Sequence, residues 1–233
     1  MVPVHDNLVN SSLILYLNNL VLNKGTAYTN WSGRLYKTNS DFSGYYTYSL
    51  PFKQIVSDQN VTGANLMTGV YLNNNLIGTG TSGFFDINFE QGQVYFTGNM
   101  DNQTLSGVYS VKDFNIYLTN EPEEAILFEN KYSVRPKINQ TVTGLPSNVQ
   151  TYPAIFIKNQ GSRNTPLAFG GQDTTTHNFR LIIMSDSLFN LDAVSSIIRD
   201  QNNALIPIFQ PDEMPFNNYG GYKSGIYNFQ TLR

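Results

Sequence analysis

Between Asn30 and Asn120 every apolar run is cut short by Gly, Asn or Pro, and this punctuation constrains the fold more than any other feature of the chain. Runs this short cannot sustain a helical stripe, but they suit strands joined by tight turns. Tyr45-Tyr46-Thr47-Tyr48 reads as a strand stopped by Pro51. Gly69-Val70-Tyr71-Leu72 and Leu76-Ile77-Gly78 flank Asn73-Asn74-Asn75, a hairpin tip. Phe84–Phe89 and Gln93–Thr97 flank Gln91-Gly92, a second hairpin signal. Val108–Leu118 is the longest strand candidate, with Phe114, Ile116 and Leu118 expected on one side and Asn115 and Tyr117 on the other. The 15 Tyr, 15 Phe and 18 Gly fit this reading, because aromatic rings pack on pleated surfaces and Gly supplies positive φ. The expected architecture for 30–120 is an antiparallel sandwich or barrel.

The flanks read differently. In Ser12–Asn23, Leu13, Leu17, Leu20 and Val21 recur at helical spacing, with Ser11 or Ser12 to cap the start and Lys24-Gly25 to end it. A strand competes there, since Leu13, Leu15 and Leu17 also alternate. Glu121-Pro122-Glu123-Glu124 is either a metal or basic-partner site, or a solvated turn or helix start with acids in its first turn; the missing coordination partners favour the turn or helix start. A polar connection follows, interrupted by Pro136, Gly144 and Pro146. Then come an apolar strand Ala154–Ile157, a Gly/Pro/Asn-rich loop Gly161–Thr176 and a strand Phe179–Met184. A helix carrying Leu191, Val194, Ile197 and Ile198, capped by Ser187 or Asn190, leads to a strand Leu205–Phe209. The class is α+β: an N-terminal helix segment (1–29), a β-rich domain (30–120), a connection (121–151), a small α/β domain with one helix on its sheet (152–210) and a C-terminal extension (211–233). That extension, with Tyr219, Tyr222, Tyr227 and Phe229, is too thin for its own core and is expected to pack on its own sheet or on a neighbouring subunit.

Charge narrows the function classes. Charged residues make up 13% of the chain, about half the usual share, and net charge is −3. Such a neutral, Tyr-rich surface is expected where neighbours cover it. There is no Cys, so disulfides and thiolate metal sites are excluded. No apolar run reaches transmembrane length, no secretory signal is expected and no basic stripe marks a nucleic-acid interface. Asn-x-Ser/Thr sequons at Asn10, Asn30, Asn60, Asn102 and Asn139 then read as coincidence in an Asn- and Thr-rich chain.

No catalytic constellation emerges. The two His are His5, expected in a loose N-terminal segment, and His177, expected in a loop beside Asp173 and several Thr; no Gly-x-Ser-x-Gly elbow accompanies them. Asp86, Glu90 and Asp113 could meet across a sheet as hydrolase carboxylates, without any specific spacing to single them out. Phe169-Gly170-Gly171 lacks the context of a phosphate loop, and Arg163 and Arg180 read as ordinary surface charges. Tyr45–Tyr48 could stack on sugars, though sheet packing is the better reading. No catalytic, cofactor-binding or metal-binding residue is assigned, and no enzymatic activity is expected.

Gly44-Tyr45-Tyr46-Thr47-Tyr48, Pro51-Phe52-Lys53-Gln54 and Gly69-Val70-Tyr71-Leu72-Asn73 resemble virion structural proteins of tailed phages, notably cyanophage-like myoviruses. So do Tyr109-Ser110-Val111-Lys112-Asp113-Phe114, Tyr152-Pro153-Ala154-Ile155-Phe156 and Phe169-Gly170-Gly171. The likeness is one of texture and spacing over most of the chain. It implies a non-enzymatic virion subunit assembled in the host cytoplasm. The small α/β part looks like tail terminators and neck (head–tail connector) proteins, which implies a homo-hexameric ring contacting other neck and tail proteins. Such a ring would have no membrane partner and no sequence-specific nucleic-acid contact, only passive DNA passage. The alternative is a host-adhesion or carbohydrate-binding module of a tail fibre or baseplate.

Overall fold

The computed structural model describes residues 5–39, 41–128, 152–165, 174–223 and 228–232. Among them are eleven strands in three sheets and three helices, a strand-rich α+β fold. The chain divides into two compact units, each assembled from two stretches: Asn18–Asp113 with Ile206–Arg233, and Met1–Leu17 with Phe114–Leu205. Helix α1 (His5–Gly25) contributes residues to both.

The first unit is a sandwich of two four-stranded sheets. One has the order β1 (Tyr28–Arg34), β8 (Leu105–Lys112), β4 (Val70–Leu72), β5 (Asn75–Ile77). The other runs β2 (Tyr36–Lys37), β3 (Tyr46–Ser49), β7 (Gln93–Phe96), β6 (Phe84–Asn88). Every pairing in both is antiparallel. A single buried cluster draws on both sheets: Val70, Ile77, Leu105, Tyr109 and Val111 from one, Tyr48, Phe84, Ile87, Val94 and Phe96 from the other. Leu105, Gly107, Tyr109 and Val111 face inward at alternate positions of β8, as a half-buried strand requires. The two hairpins form where the turn residues place them. Asn73 and Asn74 both take positive φ (48° and 70°), the conformation of a two-residue hairpin turn. Gly92 also has positive φ, and a Cβ there would sit 2.1 Å from the Phe52 carbonyl oxygen, so only glycine fits.

The C-terminal extension packs on its own sandwich. Phe209 and Phe229 are buried and meet edge to face at 5.8 Å. Phe216 bridges to Tyr222, whose hydroxyl donates to the Ser57 carbonyl. Tyr227 lies outside the described residues.

The second unit centres on a three-stranded sheet, β9 (Asn115–Leu118), β10 (Ala154–Thr165) and β11 (Thr174–Met184), in the order β11-β10-β9. Strand β10 is parallel to β9 and antiparallel to β11. Two expectations are corrected here. Val108–Leu118 is not one strand: it breaks at Asp113-Phe114 into β8 and β9, which join different sheets. Asp113 anchors the break, its N–H donating to Ala27 O (2.9 Å) and its carboxylate accepting from the Thr29 hydroxyl (3.0 Å). At the break Phe114 and Asn115 are both buried, whereas Leu118 at the end of β9 is exposed. Leu205–Phe209 is not a strand either; β9 takes the third position in this sheet, and Leu205 faces solvent.

The helices follow their local signals. Helix α1 wins over the competing strand and begins at His5 rather than Ser12, burying Leu8, Val9, Leu15, Tyr16, Leu17, Leu20, Val21 and Leu22. So broad an apolar face marks a helix covered on most sides. Helix α2 (Glu123–Phe128) starts just after Pro122 with Glu123 and Glu124 in its first turn, where carboxylates offset the helix dipole. Helix α3 (Leu188–Arg199) is capped by Ser187, whose hydroxyl accepts from Asn190 N–H at 3.2 Å. The connection 129–151 and the loop centre 166–173 lie outside the described residues; Gly161–Thr165 and Thr174–Thr176, expected in that loop, are strand.

Candidate functional site

Four groups of side chains stand out. The first lies in the β9–β11 unit. His177 is in strand β11, not in a loop, and His5 opens α1 rather than lying in a loose terminus. Their Nε2 atoms are 3.1 Å apart, and Asp6 Oδ1 is 3.7 Å from His177 Nδ1. Only 10% of the His177 side chain is exposed, and its Nδ1 is buried without a hydrogen-bond partner among the described residues. No local signal reveals this pair, because 172 residues separate its members.

The second group is an aromatic patch on the sandwich. Tyr45 stacks on Phe85 (centroids 4.2 Å, planes 15° apart), and Tyr219 meets both edge-on at 6.2 and 5.0 Å. Phe42 stacks on Tyr95 at 5.2 Å and keeps much of its ring in solvent. The turn carrying Tyr219 is tied down beside it, Asn217 Nδ2 donating to Asp86 Oδ2 at 2.7 Å. Tyr48, by contrast, points into the core; burial raises its phenol above the usual range, and its hydroxyl accepts from Met100 N–H at 2.7 Å. The Tyr45–Tyr48 run therefore serves both readings, Tyr48 as packing and Tyr45 as surface.

The third group is a buried polar knot in the same unit. Asp58 accepts from Asn19 Nδ2 (2.6 Å), Asn60 N–H (2.9 Å) and Phe229 N–H (3.0 Å), joining α1, a loop and the C-terminal turn. Lys112 donates to Asn18 Oδ1 at 3.2 Å; burial lowers its pKa to about 8, against the opposing pull of Glu90 and Asp58. Three donors on one carboxylate satisfy it fully, which is the signature of a structural anchor.

The fourth group is apolar and faces water. Leu188, Phe189 and Leu205 of the β9–β11 unit are 84%, 82% and 91% exposed. Of the expected α3 stripe only Val194 is buried. Strand β10 buries Ala154–Ile157 completely, then runs on through exposed Gln160–Thr165, where Arg163–Thr165 pair with exposed Thr174–Thr176 of β11.

The remaining candidates are dispersed. Asp86 holds Asn217 and Asp113 holds Thr29, while exposed Glu90 accepts from Gln54 N–H only through its backbone. Arg180 pairs with Glu123, and Arg163 lies exposed on β10. Phe169-Gly170-Gly171, Asp173 and Asn139 fall outside the described residues. Asn30 donates to Gly63 O and Asn10 accepts from Asn159, so two sequon amides are engaged in packing. Among the described residues no group of three or more His, Asp or Glu is arranged to hold a metal ion. None of the described helices is long and apolar enough to cross a membrane. No protein-family model, curated protein or solved structure matches the chain.

Proposed function

We propose that this chain is a non-enzymatic structural subunit of a tailed-phage particle, a neck or tail-terminator protein that works as a ring of identical copies, expected to be a hexamer. The observation that carries the assembly reading is the apolar surface that the β9–β11 unit leaves in water, Leu188, Phe189 and Leu205, together with the exposed Gln160–Thr165 end of β10. Large exposed apolar side chains favour contact with other protein surfaces, and a lone two-stranded ribbon is marginal in water until something packs on it. The low charge of the chain lowers the cost of burying such a surface. The phage assignment itself rests on the sequence resemblance.

Light scattering and cryo-EM of the purified chain test the ring, and mass spectrometry of purified particles tests the location. Ring-shaped oligomers that fall apart in the double variant Phe189→Ser/Leu205→Ser support it. A wild-type monomer at high micromolar concentration, absent from virions, refutes it.

The aromatic patch supports a second reading, a carbohydrate-binding adhesion module. Tyr45, Phe85, Tyr219 and the half-open Phe42 present ring area of the kind that stacks on sugar faces. Glycan-array binding that disappears in Tyr45→Ala would move the assignment to a fibre or baseplate.

A further inference from the structure

We propose that His5 and His177 bind a divalent transition-metal ion of the imidazole-preferring class, Zn2+, Ni2+ or Cu2+, through their two Nε2 atoms. This goes beyond the assembly reading and does not depend on it.

The geometry is that of two ligands on one ion. Imidazole nitrogens sit about 2.0–2.1 Å from zinc, so two on the same ion are roughly 2.8–3.4 Å apart at octahedral to tetrahedral angles. The two Nε2 atoms are 3.1 Å apart, with the rings tilted by 48° rather than stacked. The far side of His177 is equally suggestive. A ligating imidazole commonly turns its other nitrogen to a carboxylate, which fixes the tautomer and the ring. Here His177 Nδ1 is buried with no hydrogen-bond partner among the described residues, and Asp6 Oδ1 stands 3.7 Å away. A closure of about 1 Å would make that hydrogen bond, hold the proton on Nδ1 and leave the Nε2 lone pair free. Asp6 also places negative charge in the first turn of α1, offsetting the positive helix end that a cation would otherwise meet.

The surroundings hold both imidazoles in place. His177 pairs with Ser162, just past an irregularity of β10 between Asn159 and Ser162 where Gly161 takes φ 104°. Irregularities of this kind re-aim side chains. Asn159 Nδ2 donates to Asn10 Oδ1 at 3.2 Å, tying the same stretch of strand to the helix that carries His5. Phe179 stacks along the His177 ring at 6.2 Å. Two side chains leave the other coordination positions to water, so the site is weaker than a closed structural zinc site.

The test uses the full chain without a histidine tag. Calorimetric titration with ZnCl2 is expected to give one ion per chain. Cu2+ electron paramagnetic resonance on the wild type is expected to show two equatorial nitrogens. His5→Ala and His177→Ala should each weaken Zn2+ binding at least tenfold, and Asp6→Asn about tenfold, with thermal melts of the metal-free His5→Ala and Asp6→Asn variants close to wild type. A wild type that binds Zn2+ no better than His5→Ala, or a Cu2+ spectrum with fewer than two nitrogens, overturns the proposal and leaves the pair as a neutral N–H···N hydrogen bond.

Discussion

The two units of this chain differ in how far they leave their exposed apolar side chains in water. The sandwich takes Tyr48, Phe84, Val94, Phe96, Tyr109 and Val111 into one cluster between its sheets and closes it with the C-terminal Phe216 and Tyr222. The β9–β11 unit buries Ala154–Ile157 at the root of its sheet, then leaves Gln160–Thr165 of β10 and Leu188, Phe189 and Leu205 exposed. Both units bury a core, but the exposed apolar side chains of the sandwich unit, such as Tyr36 and Leu76, are at most 56% exposed, whereas Leu188, Phe189 and Leu205 are 84%, 82% and 91% exposed. Composition alone does not separate these uses; the location of each side chain does.

Substitutions can break this comparison. Phe96→Ala removes a fully buried ring between Tyr48 and Phe84 and should cost about 3–5 kcal/mol in denaturant unfolding. Phe189→Ala should change stability by less than about 0.5 kcal/mol, because its ring is already in water. Equal losses at the two positions would mean that the contrast is false. Gly92→Ala should cost about 1–3 kcal/mol by the same measurement, since it combines positive φ with a clash against Phe52 O. In the other unit, Ser187→Ala should cost about 1 kcal/mol by loosening the start of α3.

A pH dependence is expected from the sandwich. Between about pH 8 and 10 the unfolded chain keeps Lys112 protonated while the folded chain releases that proton, so stability rises with pH. Above the ordinary tyrosine range the sign reverses. Burial holds the Tyr109 and Tyr222 phenols protonated in the fold while the unfolded chain ionises, so stability falls. Thermal unfolding across pH 7–12 should therefore pass through a maximum near pH 10, and Lys112→Met should remove the rising limb.

Local chemistry made the elements legible, and long-range pairing hid their arrangement. The hairpin at Asn73-Asn74, the turn at Gly92, the Ser187 cap and the acidic start of α2 are written in neighbouring residues. Strand β1 is not: Tyr28–Arg34 is a polar edge strand without alternation, and it is specified by its seven pairings to β8 rather than by its own pattern. The break at Asp113 was hidden for a related reason, since Phe114–Leu118 keeps a strand-like pattern while changing sheets. The polar half of β10 looked like loop because no apolar side chain marks it. Of the candidate surfaces, Tyr45 was visible as an aromatic in a strand-rich region, but its partners Phe85 and Tyr219 come from distant parts of the chain.

The path of the chain carries one more consequence. Each unit is discontinuous: the sandwich is opened by Asn18–Asp113 and completed only by Ile206–Arg233. During synthesis, therefore, the whole of Phe114–Leu205 emerges before Phe209, Phe216, Tyr222 and Phe229 can cover the sandwich, and no single proteolytic cut releases either unit intact. The nascent sandwich waits with Asp58 lacking its Phe229 donor and Ser57 O lacking the Tyr222 hydroxyl until Ile206–Arg233 has been made.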